Sequence, residues 1–242
     1  MSNYQKLQKE ASEGKKKFAV LIDPDKYTLE SLGRVVKLSV DACVDYFFLG
    51  GSLLLKDNIE LFISYIRRHS DIPVLLFPGN NIQLNNKADG ILLLSLISGR
   101  NPDMLIGRHV ISAPYLKASS LEIISTGYML IESGCSTSVT YMSNTFPIPS
   151  NKVDIAWCTA FAGEMLGMKL IYMDAGSGAQ NPVPASMISK VKESITLPLI
   201  IGGGISTPEL AKAAFDAGAD VVVVGNAIEK DPALITRIAA VR

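Results

Sequence analysis

The sequence has no excess of positive charge, few cysteines and no long hydrophobic run. Its 23 lysines and arginines balance its 23 aspartates and glutamates, so no basic surface points to nucleic acid as a partner. Cys43, Cys135 and Cys158 lack the spacing of a metal site, and their odd number argues against a disulfide framework. We therefore expect reduced thiols and a cytoplasmic protein.

Hydrophobic segments are too short to cross a membrane or to form a signal peptide. Residues 1–17 are polar and charged, and the apolar run that follows, Phe18–Ile22, is shorter than the core of a signal peptide. No segment approaches the roughly 18 apolar residues that a spanning helix needs. The sequence predicts a protein that is not integral to a membrane, although a lipid substrate and a peripheral membrane association are still open.

Eight short apolar runs alternate with helical patterns. Such runs are typical of parallel strands that are buried on both faces. The predicted strands are Phe18–Ile22, Tyr46–Leu49, Val74–Phe77, Ile91–Leu94, Gly127–Ile131, Leu170–Met173, Leu199–Ile201 and Val221–Val224. The predicted helices are Leu29–Val40, Ile59–His69, Met104–Lys117, Val153–Leu166, Pro184–Glu193, Pro208–Ala217 and Pro232–Val241. The 242 residues therefore predict a single (β/α)₈ barrel domain, whose usual size is about 250 residues.

Two segments depart from this alternation. Pro78–Asp89, after the third strand, contains proline, glycine and asparagine but no helix of normal length, so an irregular segment is expected there. Glu132–Ser150, after the fifth strand, is predicted to be non-helical. Loops of this length in compact domains are usually functional, and this one should overhang the face that carries the ends of the strands.

Glycine-rich turns follow the last three predicted strands. They are Tyr172–Gly178, Gly202–Gly204 and Gly225–Asn226. The carboxyl ends of parallel strands lie on one face of a barrel, so the three turns should meet there. Exposed backbone N–H groups at such turns, together with the helix N-termini that follow, form a binding site for phosphate.

Carboxylates also follow predicted strands at this face. Asp23 and Asp25 come directly after the first strand, and Ser52 follows the second. They suit Mg²⁺, which binds one or two carboxylates together with water and phosphate oxygens; alternatively, either aspartate caps the next helix. Asp174 follows the sixth strand and either acts on a bound phosphometabolite or accepts hydrogen bonds from its own loop. Tyr172 shares its side of the strand and could equally fill the core.

As a set, these motifs resemble the geranylgeranylglyceryl phosphate synthase family, which includes the bacterial heptaprenylglyceryl phosphate synthases. The similarity extends from about Phe18 to the C-terminus, and Ser98–Pro102 together with the Ser133–Pro149 loop resembles the larger archaeal and bacterial branch. The resemblance implies a modified TIM (β/α)₈ barrel whose third helix is replaced by an irregular segment. It also implies transfer of a prenyl group from its diphosphate to the 3-hydroxyl of sn-glycerol 1-phosphate, with Mg²⁺ as cofactor.

The same resemblance implies roles for individual residues. Asp23 and Ser52 would hold the metal. Asp174 and Tyr172 would be the catalytic residues, with Asp174 as the general base; many family members carry glutamate at the position of Asp174. Glycerol 1-phosphate would contact Tyr172, Met173, Asp174, Ala175, Gly176, Ser177, Gly178, Gly203, Gly204, Gly225 and Asn226. Lys26 and Arg100 are candidates for binding the diphosphate, or are solvated surface charges. A homo-oligomer, dimer or hexamer, is expected.

An apolar trench is required for the prenyl tail, and Tyr115, Tyr128, Tyr141 and Met142 are candidates for its lining or for ordinary core packing. Such bulky residues predict a C20 donor, geranylgeranyl diphosphate, rather than a C35 donor. Three alternatives stay open: a heptaprenylglyceryl phosphate synthase, a phosphate-binding isomerase or lyase of the tryptophan or thiamin biosynthesis type, and a catalytically silent phosphometabolite-binding protein.

Overall fold

The computed structural model describes all 242 residues and forms a closed barrel of eight parallel strands. The strands are β1 (Lys17–Ile22), β2 (Tyr46–Leu49), β3 (Val74–Leu76), β4 (Gly90–Leu96), β5 (Glu122–Leu130), β6 (Leu170–Asp174), β7 (Leu199–Gly202) and β8 (Val221–Val224). Each strand pairs with the next in the chain, and β8 pairs with β1. The predicted modified TIM barrel is confirmed.

Ten α-helices accompany the barrel. They are α1 (Asn3–Ser12), α2 (Leu29–Asp41), α3 (Ile59–His69), α4 (Arg108–Lys117), α5 (Ser138–Ser143), α6 (Val153–Met165), α7 (Ala185–Ser194), α8 (Pro208–Asp216), α9 (Asn226–Lys230) and α10 (Leu234–Ala239). A π-helical turn, Asp103–Gly107, leads into α4. No helix has the length and apolar character needed to cross a membrane.

Alternation along the strands divides the core into two layers. Inward-facing residues fill the barrel, and outward-facing residues pack against the helices. On β6, Tyr172 belongs to the inner layer, whereas Met173 belongs to the outer layer. Tyr128 on β5 lies beside Tyr172 in the strand register, so both aromatic side chains enter the barrel at the same level.

The segment between β3 and β4 lacks an α-helix, as the sequence predicts. It contains only a short 3₁₀ turn, Asn81–Gln83. The buried Gln83 amide fixes this segment to the loop after β2: its nitrogen donates to the Gly51 carbonyl at 2.8 Å, and its oxygen accepts from the Gly51 and Gly79 N–H groups, each at 3.3 Å. One side chain thus supplies the tertiary anchor that a packed helix would otherwise provide.

The polar N-terminal segment, for which the sequence suggests no element, contains α1. A capping box of Ser2 and Gln5 begins this helix, and the Glu122 carboxylate accepts from the Asn3 and Tyr4 N–H groups at 2.7 and 2.9 Å. Leu7 alone is buried, against the inner layer at the amino-terminal end of the barrel. One buried residue gives almost no hydrophobic periodicity, so the pattern does not reveal the helix.

Three further elements differ from the predicted ones. The strand β5 begins at Glu122, five residues before the predicted start at Gly127, since its first half pairs with β4. Polar Ser125 and Thr126 interrupt the apolar run there, so the pattern misses this half. The Glu132–Ser150 loop, which is predicted to be non-helical, contains the short helix α5. The predicted Pro232–Val241 helix is shortened to α10, and an additional short helix that the sequence does not predict, α9, begins directly after Gly225.

Candidate active site

A cavity of about 800 Å³ opens at the carboxyl-terminal mouth of the barrel. Its walls come mainly from the loops after β1, β2, β6, β7 and β8, with further residues from the segments after β3 and β5. It brings together most of the residues singled out in the sequence: Asp23, Lys26, Ser52, Tyr172, Asp174, Gly176, Ser177, Gly178, Gly203, Gly204, Gly225 and Asn226. Met173 and Ala175 do not line it, because both side chains are buried in the outer core layer.

The three glycine loops lie beside one another with free backbone donors. The N–H groups of Gly203, Gly204, Gly225 and Asn226 make no hydrogen bond within the protein. Ser177 connects the first loop to the third by donating its hydroxyl to the Asn226 side-chain oxygen at 2.9 Å. Unpaired N–H groups that converge in this way are suited to bind phosphate oxygens.

Gly203 shows why this arrangement needs glycine. Its φ is +78°, and a Cβ atom there would lie 2.6 Å from Asp174 Oδ1 and 2.6 Å from the Gly176 nitrogen. A side chain would therefore be strained and would also collide with the two neighbouring groups of the site. The sequence pattern reflects a packing constraint as well as a need for free N–H groups.

Asp174, the last residue of β6, is a buried carboxylate with two hydrogen-bond donors. Tyr128 donates its hydroxyl to Oδ2 at 2.6 Å, and Gly176 donates its backbone N–H to Oδ1 at 2.7 Å. Burial raises the pKa of the Asp174 carboxyl, and these two hydrogen bonds oppose the rise. A carboxylate in such surroundings is suited to accept a proton from a bound hydroxyl.

Asp23 faces the backbone of Gly51 at the edge of the cavity. Its Oδ1 accepts from the Asp25 N–H at 3.0 Å, whereas Oδ2 has no hydrogen-bond partner in the protein. Burial raises the pKa of the Asp23 carboxyl. Asp25 is used differently, since its carboxylate accepts from the Leu55 and Lys56 N–H groups at 2.6 and 3.2 Å and so fixes the loop after β2.

A further carboxylate, Glu229 on α9, lines the same cavity and is missed by the sequence reasoning. Burial raises the pKa of Glu229, and the nearby charge of Asp23 raises it further. No group of three or more His, Cys, Asp or Glu side chains is arranged as a metal site. The half-buried Asp23, near another acidic group and in one cavity with Ser52, nevertheless fits a hard cation that takes its other ligands from water and substrate phosphate.

A second, mainly apolar cavity of about 110 Å³ adjoins the first. Gly51, Ser52, Phe77, Tyr128 and Val139 line both cavities. The apolar cavity extends under the helix-free segment after β3 and the π-helical turn before α4, where its lining includes Leu84, Ile91, Leu93, Met104, Arg108, His109 and Met142. The lack of a helix after β3 leaves room for it.

Of the four candidates for a tail trench, Tyr128 and Met142 line the apolar cavity. Tyr115 and Tyr141 do not, since their side chains are 69% and 86% exposed.

The two predicted diphosphate-binding residues also lie in different places. Lys26 lines the larger cavity, whereas Arg100 is exposed, lines neither cavity and donates to the Gly99 carbonyl at 3.0 Å. Arg108, which the sequence does not single out, lines the apolar cavity.

Comparison with known proteins places this site in a family. Two bacterial proteins named geranylgeranylglyceryl phosphate synthase, from Spirosoma linguale and Chitinophaga pinensis, are 53% and 54% identical over 228 residues, which cover 94% of this chain and 92% and 90% of theirs. The crystal structure of (S)-3-O-geranylgeranylglyceryl phosphate synthase from Thermoplasma acidophilum, in complex with its substrate sn-glycerol-1-phosphate, superposes with a TM-score of 0.94 at 29% identity. That match covers 100% of this chain and 98% of the other. The PcrB family model matches residues 11–242, and the chain therefore belongs to the PcrB family.

Proposed function

We propose that the protein is a prenyltransferase that joins sn-glycerol 1-phosphate to a long-chain prenyl diphosphate, geranylgeranyl diphosphate, through an ether bond. The observation that carries the proposal is the junction of two cavities. One holds free backbone N–H groups and a buried carboxylate, the other is apolar, and Tyr128 lines both. The names of the relatives and the substrate bound to the Thermoplasma acidophilum enzyme support the same reaction.

In this proposal each part of the site has one task. The N–H groups of the glycine loops bind the phosphate of the acceptor, which brings the 3-hydroxyl toward Asp174. Asp174 accepts the proton of that hydroxyl. At the same time the hydroxyl oxygen of glycerol 1-phosphate forms a bond to the allylic carbon of the donor, and diphosphate leaves with the bonding electrons. A positioned general base is usually worth about 10²–10⁴-fold in rate.

We further propose that Mg²⁺ is the cofactor and that Asp23 and Ser52 hold it, with Glu229 nearby. Bound there, it would neutralise charge that develops on the departing diphosphate. Lys26 lies in the same cavity and is the better placed of the two predicted diphosphate-binding residues, because Arg100 lines neither cavity. Asp23 is half-buried and forms no ion pair, although the charge of Lys26 acts on its carboxyl, so its carboxylate is available to a cation.

The deciding experiment is an assay with sn-glycerol 1-phosphate and C15, C20 and C35 prenyl diphosphates, with Mg²⁺ and with EDTA. We expect ether product and released diphosphate only when Mg²⁺ is present. Binding of glycerol 1-phosphate without product from any donor would support the silent binding protein instead. Membership of the PcrB family favours transfer over the isomerase or lyase of the tryptophan or thiamin type.

The assembly and location of the protein are proposed on separate grounds. The helix α6 exposes Phe161 (41%) and Met165 (69%), with Leu166 (75%) directly after it. We propose that this face contributes to a homo-oligomer, dimer or hexamer, and light scattering would measure the mass.

A cytoplasmic enzyme that meets its lipid donor at a membrane surface fits the absence of a spanning helix.

A further inference from the structure

The hydroxyl of Tyr128 stands between the two cavities, although neither the sequence pattern nor the proposed roles give it a task. Tyr128 is 4% exposed and lines both cavities. Its ring packs edge-on against Tyr172, with centroids 5.5 Å apart at 84°, and against Phe77 at 6.0 Å. Two aromatic neighbours therefore fix the ring and the direction of its hydroxyl.

That hydroxyl points at the carboxylate of Asp174 across 46 residues of sequence. The 2.6 Å contact with Oδ2 and the 2.7 Å contact from Gly176 to Oδ1 together set the plane of the carboxylate. Burial and the charge of Asp174 raise the pKa of Tyr128 well above its usual value, so the tyrosine stays protonated and donates. Hydrogen bonds to an ionised group are shorter and stronger than those between neutral groups.

No positively charged side chain contributes to stabilising the ionised carboxylate of Asp174. The groups that face Asp174 are Tyr128 from β5, Tyr172 from β6 and the Gly176 N–H, and Asp174 forms no ion pair with lysine, arginine or histidine. Tyr172 makes no hydrogen bond to it. Its ionised form therefore depends on two neutral donors, and Tyr128 is the one of these that a side-chain substitution can remove.

We infer that Tyr128 is a positioning residue of the transferase: its hydroxyl holds Asp174 in one orientation and favours the ionised carboxylate that accepts the proton. The inference rests on the proposed function, because it assigns Tyr128 a role through the proposed base. Loss of the hydroxyl should lower kcat, and it should also move the acidic limb of the pH–rate profile to higher pH, since an Asp174 with one donor fewer binds its proton more tightly.

The test is Tyr128→Phe, measured in the wild-type protein and in the Asp174→Asn variant. In the wild-type background we expect kcat to fall roughly 10- to 100-fold, the factor that corresponds to a hydrogen bond to a charged group. The KM for glycerol 1-phosphate should change little. In the Asp174→Asn background the same substitution should cost less than about twofold, because the ionised partner is already gone. A merely structural role would give equal losses in both backgrounds.

Tyr46→Phe is the matched control, because Tyr46 is also 4% exposed in the inner layer but lies at the opposite end of the barrel. It should leave kcat and the pH profile unchanged, and thermal unfolding should verify that every variant is folded. An active wild-type enzyme whose kcat and acidic limb are unchanged by Tyr128→Phe would overturn the inference alone. A wild-type protein that forms no ether product would instead overturn the proposed function.

Discussion

The pKa of Asp174 depends on the burial of its carboxyl and on two neutral hydrogen-bond donors. Because burial raises its pKa, the carboxylate binds a proton at a higher pH than an exposed aspartate would. The same burial makes the carboxylate a stronger base toward a substrate hydroxyl. At the scale of single residues, burial therefore lowers the ionised fraction of Asp174 and raises the basicity of the carboxylate that is ionised.

We expect Asp174→Asn to lower kcat by about 10²–10⁴-fold, the usual worth of a general base, with little change in the KM for glycerol 1-phosphate. Steady-state kinetics measure both. In the wild-type enzyme, activity should decline as the pH falls through the raised pKa of Asp174, because the protonated carboxyl cannot accept a proton. Equal losses in kcat and in binding would mean that Asp174 only positions the substrate.

A second prediction concerns Asp23. Asp23→Asn should nearly abolish transfer in a folded protein, because it removes a carboxylate that lines the cavity and has one oxygen without a hydrogen-bond partner. Activity titrated with Mg²⁺ measures the effect. Asp25→Asn is the control: its carboxylate is occupied by the Leu55 and Lys56 N–H groups, so the Mg²⁺ dependence should persist. Normal Mg²⁺-dependent turnover in Asp23→Asn would limit the role of this residue to its hydrogen bond with the Asp25 N–H.

At the scale of elements, the irregular connections make the site, while the regular helices mainly close the barrel. The segment after β3 is anchored through Gln83 instead of a packed helix, and this leaves the apolar cavity open. The short helix α5 and the preceding β5 loop overhang the mouth, where Asn101 donates to the Ser143 carbonyl at 2.8 Å and fastens the loop to the β4 side. These connections place an apolar space beside the phosphate-binding loops.

The loop after β7 provides an element-scale prediction. Gly203→Ala should weaken binding of glycerol 1-phosphate strongly, since a Cβ atom would displace Asp174 and the first glycine loop. Calorimetry measures the affinity. Gly14→Ala isolates the backbone effect, because Gly14 has a similar φ of +73° but no atom within 4 Å of an added Cβ. Strain should cost each variant about 1–2 kcal/mol of stability, but only Gly203→Ala should lose affinity.

At the scale of the whole molecule, we expect the size of the apolar cavity to limit the length of the donor's prenyl chain. The apolar space of about 110 Å³ is lined by side chains such as Met104, His109 and Met142. Each additional buried CH₂ contributes about 0.8 kcal/mol only where room for it exists. A bounded cavity therefore favours a tail of limited length.

The resulting prediction is a preference for the C20 donor over C15 and C35. A C15 chain should bury fewer CH₂ groups against the lining side chains than a C20 chain does, and a C35 chain should exceed the room that these side chains leave. Values of kcat/KM measured for the three diphosphates under one set of conditions test this directly. A clear C35 preference would mean that the cavity opens further when a donor binds, and would assign the protein to the heptaprenyl branch.

The sequence by itself determined the barrel, its missing helix and the location of the glycine loops. These features are local: apolar runs such as Val221–Val224 have no strong alternative to a buried strand, and Pro78–Asp89 cannot form a regular helix. Parallel strands must then bring their carboxyl ends to one face. For that reason Asp23 and Asp174 meet the glycine loops at one cavity, as the sequence analysis expects.

Only the tertiary structure decided which side chains work together. The pairing of Tyr128 with Asp174 depends on the register of β5 against β6, and the approach of Glu229 to Asp23 depends on closure between β8 and β1. No local pattern encodes either distance. Arg100 follows a strand as the other candidates do, yet lies outside both cavities, because the direction of a side chain after a strand is set by the loop that packs around it.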